Sequence, residues 1–291
     1  MSEKTPMCAM NCCHRFYELE DFFKSAKING YSQVELWTGP QHFFLDYQQY
    51  ESPDRLLRLE DQYELKIIGI CPEQTNPKPH NMAAKDSAMQ ERVLAYFKNA
   101  IDVAAAVKAK QVVVTSGWAF YNEPLKIAYQ RSVKMLQQLS EYAETKNMLL
   151  AIEALQKEES LLVNTATDLK KLLSDVDRPS LKVCLDIGAM AAAGETIQDY
   201  FDVFPTEIVH SHFVDVKGTT THLAWGDGER NMSEDLAVFA KNKYLGFYSI
   251  ETVNSEYFRN PQKADAQSMA MYRRIEKNEK KFCDRNPWNL C

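Results

Sequence analysis

An α/β fold closed as a single (β/α)8 barrel is the architecture this sequence predicts, and three observations carry that prediction. Short apolar or β-branched runs alternate with longer stretches whose apolar residues recur at helical spacing. Eight such runs occur within 291 residues, a length that α/β barrels commonly occupy as one domain. Runs such as IIGI and VVV are apolar without alternation, the pattern of strands covered on both faces.

In chain order the strands are expected at 7–10 (MCAM), 33–37 (QVELW), 66–71 (KIIGIC), 111–115 (QVVVT), 148–153 (MLLAIE), 181–186 (LKVCLD), 208–214 (IVHSHFV) and 247–251 (FYSIE). Helical periodicity between them is clearest over 87–108, 124–146, 165–174, 233–243 and 263–281. Asp86 and Thr165 stand where a side chain can cap a helix, and Pro124 suits a first turn, whose N–H groups are unpaired in any case. A doubly wound open sheet is the competing architecture. Against it, no G-x-G-x-x-G follows a strand and no P-loop is present. No Pro-, Gly- or Ser-rich linker divides the chain, so residues 1–291 read as one barrel domain, with a charged and loosely ordered C-terminal tail from about residue 278.

Composition narrows the function. Lys and Arg total 34 against 40 Asp and Glu, and a net charge of -6 offers no basic footprint for nucleic acid or an anionic membrane. No apolar run approaches the ~18 residues of a membrane span, and the opening MSEKTPMCAMNCC lacks the apolar core of a signal peptide. A cytoplasmic chain is expected. The 7 cysteines show no C-x-x-C spacing, which fits free thiols and speaks against a structural zinc site.

Side chains at the C-terminal ends of barrel strands converge on one open face. Four consecutive expected strands end on, or close to, a metal-competent group: Glu153, Asp186, His212 and Glu251. Their spacings of 33, 26 and 39 residues scatter around the roughly 31 residues per βα unit of such a barrel. Taken singly, a carboxylate after a strand can simply cap a helix, and a buried histidine can be satisfied by its neighbours. Four converging on one face are harder to explain that way, because their repulsion and desolvation call for a cation. Three carboxylates and an imidazole without a thiolate suit one divalent ion, Mn2+ first, with Mg2+, Co2+ or Zn2+ as alternatives.

The segments IEALQKEES, CLDIG, HSHFVD with the following THLAWGDGE, and GFYSIE resemble those of the xylose isomerase-like TIM-barrel sugar isomerases and epimerases. GYSQVELW and CPEQTNPKPHNM are similar to the ketose 3-epimerase branch, particularly the fructoselysine 3-epimerases. The resemblance covers most of the chain. It implies that Glu153, Asp186, His212 and Glu251 bind one divalent metal, that Glu153 and Glu251 are also the catalytic acid/base pair, and that Glu159 contacts substrate. The implied function is metal-dependent epimerisation at carbon 3 of a ketose or a ketose conjugate such as fructoselysine, with a small-molecule sugar as partner and a homo-oligomer as one available state.

Three departures shape that expectation. Ala189 and Gly218 stand where the tagatose and psicose epimerases carry a substrate-binding histidine and an arginine, and Ala154 replaces a proline that often follows the first glutamate. The first two tilt the reading away from a free ketohexose. Further substrate contacts are expected from Asp215, His222, Glu73 and Trp118, with Asp215 alternatively orienting the nearby histidine. Glu35, inside its strand, is alternatively a paired interior charge; Trp37 and Trp225 can wall the same face, and Gly226 and Gly228 allow a tight turn near it. The competing functions are an inosose-type dehydratase on the same ligand set and a non-catalytic sugar-binding barrel. An abasic-site endonuclease is disfavoured by only 6 histidines and the net charge of -6.

Overall fold

The protein is described by a computed structural model over residues 6–74 and 76–285, with side chains through residue 278. Eight parallel strands close a barrel: β1 (Met7–Met10), β2 (Gln33–Thr38), β3 (Lys66–Pro72), β4 (Gln111–Val114), β5 (Leu149–Ile152), β6 (Leu181–Asp186), β7 (Ile208–His212) and, after a two-stranded hairpin of β8 (Asp215–Lys217) and β9 (Thr220–Leu223), β10 (Phe247–Ile250). Around the barrel the order is β1-β10-β7-β6-β5-β4-β3-β2. The fold is therefore the (β/α)8 barrel expected from the alternating pattern, with every expected barrel strand present.

Helices α1 (Leu19–Asn29), α2 (Asp54–Tyr63), α3 (Ser87–Ala106), α4 (Leu125–Thr145), α5 (Ala166–Val176), α6 (Ile187–Ala192), α7 (Ile197–Val203), α8 (Met232–Lys241) and α9 (Pro261–Arg285) follow the strands. Their starts match the local chemistry. Asp86 accepts the Met89 N–H at the head of α3, and Thr165 forms a capping box with Asp168 at the head of α5. The main core lies between strands and helices, where Phe97, Ile101, Leu136, Leu139, Leu169 and Leu172 pack with Val112, Val114, Leu150 and Ile152, all fully buried. Truncating one such leucine to alanine costs about 2–5 kcal/mol.

Two differences from the sequence reading bear on function. The expected strand 208–214 stops at His212, and the chain turns into the β8–β9 hairpin that projects beside the barrel mouth. Apolar Phe213 and Val214 continue the strand pattern but are buried beyond its end. At the other end of the chain α9 runs on to Arg285, and residues 286–291 of the expected tail lie outside the described residues. Among the described residues no helix is long and apolar enough to cross a membrane.

Candidate active site

Strand register brings the four expected ligands together. Asp186 pairs with His212 across β6 and β7, and His212 pairs with Ser249 across β7 and β10. Glu153 and Glu251 come one residue after β5 and β10; the Glu153 N–H donates to Val114 O at 3.1 Å, carrying the ladder one step further. Along the arc β5-β6-β7-β10 the two glutamates thus stand at the outer positions, with Asp186 and His212 between them.

The capping interpretation of Asp186 is half correct. Its Oδ1 accepts the Ala189 N–H at the head of α6, and its Oδ2 is left facing the cluster. His212 Nδ1 lies 2.9 Å from Glu153 Oε2, 2.9 Å from Glu251 Oε2 and 3.5 Å from Asp186 Oδ2. None of these approaches has hydrogen-bond geometry, and Glu153 Oε2, Asp186 Oδ2 and His212 Nδ1 remain buried without a hydrogen-bond partner. One donor atom from each of the four residues falls within 4.8 Å of all the others. Buried polar atoms without a partner cost free energy, and three carboxylates with one imidazole nitrogen fit a divalent ion.

The electrostatics follow from crowding. Burial is the largest influence on Glu153 and lifts its carboxyl to about 7, against the pull of His212. On Asp186 burial acts in the same sense but is outweighed by His222 and His212, which hold it below the ordinary carboxylate range. Glu251 is likewise brought down to about 2, burial being outweighed by His212 and His222. Burial works to lower both imidazoles, yet Cys184 and the surrounding carboxylates raise His212, and Asp186 and Glu251 raise His222.

His222 arrives from β9, with a positive φ of 57°. Its Nε2 lies 3.3 Å from Asp186 Oδ2 and 3.5 Å from Glu251 Oε2. Gly188 makes room for it, since a Cβ there would sit 2.8 Å from the ring's Cε1. Behind the cluster the fully buried Glu35 stands 2.8 Å from His210 Nε2 and 3.4 Å from His212 Nε2. The Glu35 hydrogen bond goes to His210; His212 Nε2 is within ion-pair reach of the same carboxylate but makes no hydrogen bond to it. Of the two readings of Glu35, the paired interior charge is the one observed; its partner His210, two residues before His212, was missed because nothing local marks a partner 175 residues away.

A cavity of about 420 Å³ opens over the cluster. Glu159, Glu73 and His222 line it together with Arg15, Lys78 and Gln74, three residues that sequence reasoning did not single out. Glu159 is pushed up by burial, Glu73 meets Lys78 Nζ at 2.9 Å, and Gln74 extends the barrel edge through Val113 O and the Thr115 N–H.

Two expected substrate contacts lie elsewhere. Asp215 accepts the N–H groups of Val216, Gly226, Gly228 and Arg230, so its carboxylate organises the WGDGE loop instead of facing the cavity or His212. Gly228 is required there, because a Cβ would come within 2.2 Å of Asp215 Oδ1. Trp118 is outside the cavity lining: its ring packs on Phe120 at 4.8 Å and its Nε1–H donates to Lys78 O. Trp225 is fully buried and donates to Phe213 O, whereas Trp37 does line the cavity.

Comparisons with known proteins agree with this architecture. The xylose isomerase-like TIM barrel family matches residues 23–275. The fructoselysine 3-epimerase of Shigella flexneri is 31% identical over 265 residues, which is 91% of this chain and 95% of that protein. Among solved structures, an L-ribulose 3-epimerase superposes with a TM-score of 0.79 at 15% identity, over 98% of this chain and 99% of the other. The IolI protein with a zinc atom superposes with a TM-score of 0.76 at 17% identity, over 92% and 97%. At those identities the structural likeness is one of fold.

Proposed function

The chain belongs to the xylose isomerase-like TIM barrel family, and from that premise we propose that it is a divalent-metal-dependent epimerase acting at carbon 3 of a ketose or ketose conjugate such as fructoselysine. The observation that carries the proposal is the convergence of Glu153, Asp186, His212 and Glu251 on one point, the first three with buried, unpartnered polar atoms. These four residues would hold the ion. When bound, a divalent ion supplies a Lewis acid for the substrate's carbonyl and neighbouring hydroxyl oxygens and stabilises the enediolate charge, Mn2+ being the first choice for this donor set and Mg2+, Co2+ or Zn2+ the alternatives.

Inverting a carbon beside a carbonyl requires removing a weakly acidic proton from one face and returning one to the other. A single base does not reach both faces easily. Glu153 and Glu251, at the two ends of the four-strand arc, provide one carboxylate for each. Asp186 and His212 take the holding role, with the Glu35 carboxylate 3.4 Å behind His212 Nε2. Glu159, His222 and Glu73 line the cavity and are the substrate contacts of this reading. Cys12, Cys71, Trp37, Leu155 and Val253 give the cavity a partly apolar wall, in which charge–dipole contacts to substrate are stronger than in water.

The test is deuterium incorporation from D2O followed by NMR, over fructoselysine, psicose, tagatose and fructose, with Mn2+ or with chelator. Metal-dependent exchange at carbon 3 of one of these ketoses is expected. Absence of exchange with all four, in protein shown to carry metal, would contradict the reading, and loss of water from an inosose would transfer the site to the dehydratase chemistry.

A further inference from the structure

The cavity is rich in acid. Glu73, Glu153, Glu159, Asp186 and Glu251 line it, and the long cations among its lining residues are Lys78 and Arg15. Lys78 is engaged with Glu73. Arg15 has no ion-pair partner among the described residues, although it shares a cavity with five carboxylates.

Its position is nevertheless fixed. Arg15 follows the 3-10 turn Asn11–His14 after β1, and its Nε–H donates to Cys12 O at 2.9 Å. The guanidinium carbon lies 5.1 Å from the ring centre of Trp37 and 4.7 Å from that of Phe258. Gln41 Nε2 donates to the Arg15 carbonyl at 2.7 Å. Trp37 is itself anchored by Asn11, which accepts its N–H and donates to its carbonyl.

A guanidinium carries five N–H donors in a rigid fork, and the four on the terminal nitrogens have no partner among the described residues. That fork matches a carboxylate or a phosphate through two parallel hydrogen bonds. Stacking on Trp37 and Phe258 restrains the long side chain beforehand, so less rotamer freedom is lost when an anion arrives. A neutral ketose can accept hydrogen bonds from this fork but leaves its charge unbalanced. An oxyanion entering among five carboxylates is repelled unless a fixed cation receives it. The topology separates the two functions: β1 stands directly across the barrel from β5, so Arg15 marks the opposite side of the mouth from Glu153.

We propose that Arg15 is a specificity-determining residue that receives a carboxylate or phosphate carried by the ketose away from its reacting carbons, which makes the substrate class a carboxylate-bearing ketose conjugate or a ketose phosphate ester. The proposal rests on the epimerase reading for its reacting carbons and on Arg15 alone for its anion.

The test uses Mn2+-loaded wild-type protein and the variants Arg15→Met, which keeps an apolar stem for stacking, and Arg15→Lys, which keeps the charge and loses the fork. Probes are fructoselysine, its carboxamide, fructose 6-phosphate and fructose. Affinity is read by calorimetry and carbon-3 exchange separately by NMR. Wild type is expected to prefer one probe bearing the carboxylate or phosphate over its counterpart without it by roughly 10- to 100-fold. Arg15→Met is expected to abolish that preference, with Arg15→Lys intermediate. A preference within the fructoselysine pair identifies a carboxylate, and one within the fructose pair identifies a phosphate. The proposal is overturned if wild type shows no preference in either pair, or if Arg15→Met weakens probes with and without the carboxylate or phosphate equally. Failure of exchange with every probe would contradict the epimerase reading instead, and the calorimetric preference would still judge Arg15.

Discussion

Among the described residues three groups have metal-competent composition; one, Cys184 with His210 and His212, shares His212 with the strand-end quartet, and hydrogen bonding separates the other two. In the first, His14 Nε2 and Ser25 Oγ both meet Asp265 Oδ2, at 2.8 and 2.6 Å, joining the turn after β1, α1 and α9, and only His14 Nδ1 is left over. In the second, Glu153, Asp186 and His212 each present a buried atom that nothing receives. Asp215 sits near the second cluster in sequence but behaves like the first, since four backbone N–H groups surround its carboxylate. Residue type alone does not mark a ligand. What sets the second cluster apart is that several buried polar atoms with unused hydrogen-bonding capacity converge on one point.

The largest way to sharpen that contrast is Glu251→Gln, which keeps size and removes a base. Epimerisation is expected to fall on the order of 10³-fold while the circular dichroism spectrum is retained; turnover near wild type would break the two-carboxylate mechanism. Asp265→Ala is expected to do the opposite. It leaves two buried groups without their acceptor and should cost about 3 kcal/mol in a denaturant titration, with metal content unchanged. Loss of metal in that variant would erase the distinction between the clusters.

Glu35→Gln probes the layer behind the ligands. Loosening the His210 and His212 rings should weaken metal affinity by about 10- to 100-fold, measured by competition with a chelating dye. An unchanged affinity would reduce Glu35 to a core charge. The smallest effect is in pH. Burial raises the Glu153 carboxyl from 4.5 to about 7, so the folded chain keeps a proton that the unfolded chain releases between those values. The stability this contributes is complete below pH 4.5 and is lost as pH rises through about 7. Metal-stripped protein is expected to unfold at lower temperature as pH rises through that window. Metal-loaded protein should lack the trend, because metal requires deprotonated donors, and identical slopes in the two forms would show that no ion uses Glu153.

The barrel was legible because parallel strands covered on both faces leave runs such as IIGI and VVV, and because Asp86 and Thr165 announce their helices locally. The quartet was legible for a related reason: strand ends are where a barrel gathers side chains, and Glu153, Asp186, His212 and Glu251 each stand at one. The β8–β9 hairpin was not, since its strands of 3 and 4 residues carry too few positions to show alternation. Asp215 was misplaced because the amides it gathers come from a loop that closes only in the folded chain. Arg15 gave no local signal either. Its stacking partner Phe258 lies near the far end of the sequence and is brought beside it only when β1 and β10 pair.

The central claim is that the converging side chains of Glu153, Asp186, His212 and Glu251 hold one divalent ion on which proton transfer at carbon 3 depends. Metal-stripped protein should be titrated with Mn2+ while bound metal and carbon-3 deuterium exchange are measured on the same samples. Exchange is predicted to rise in proportion to bound metal and to stop rising at one ion per chain. Exchange that persists in metal-stripped protein, or metal that binds fully to an Asp186→Ala, His212→Ala variant, would contradict it.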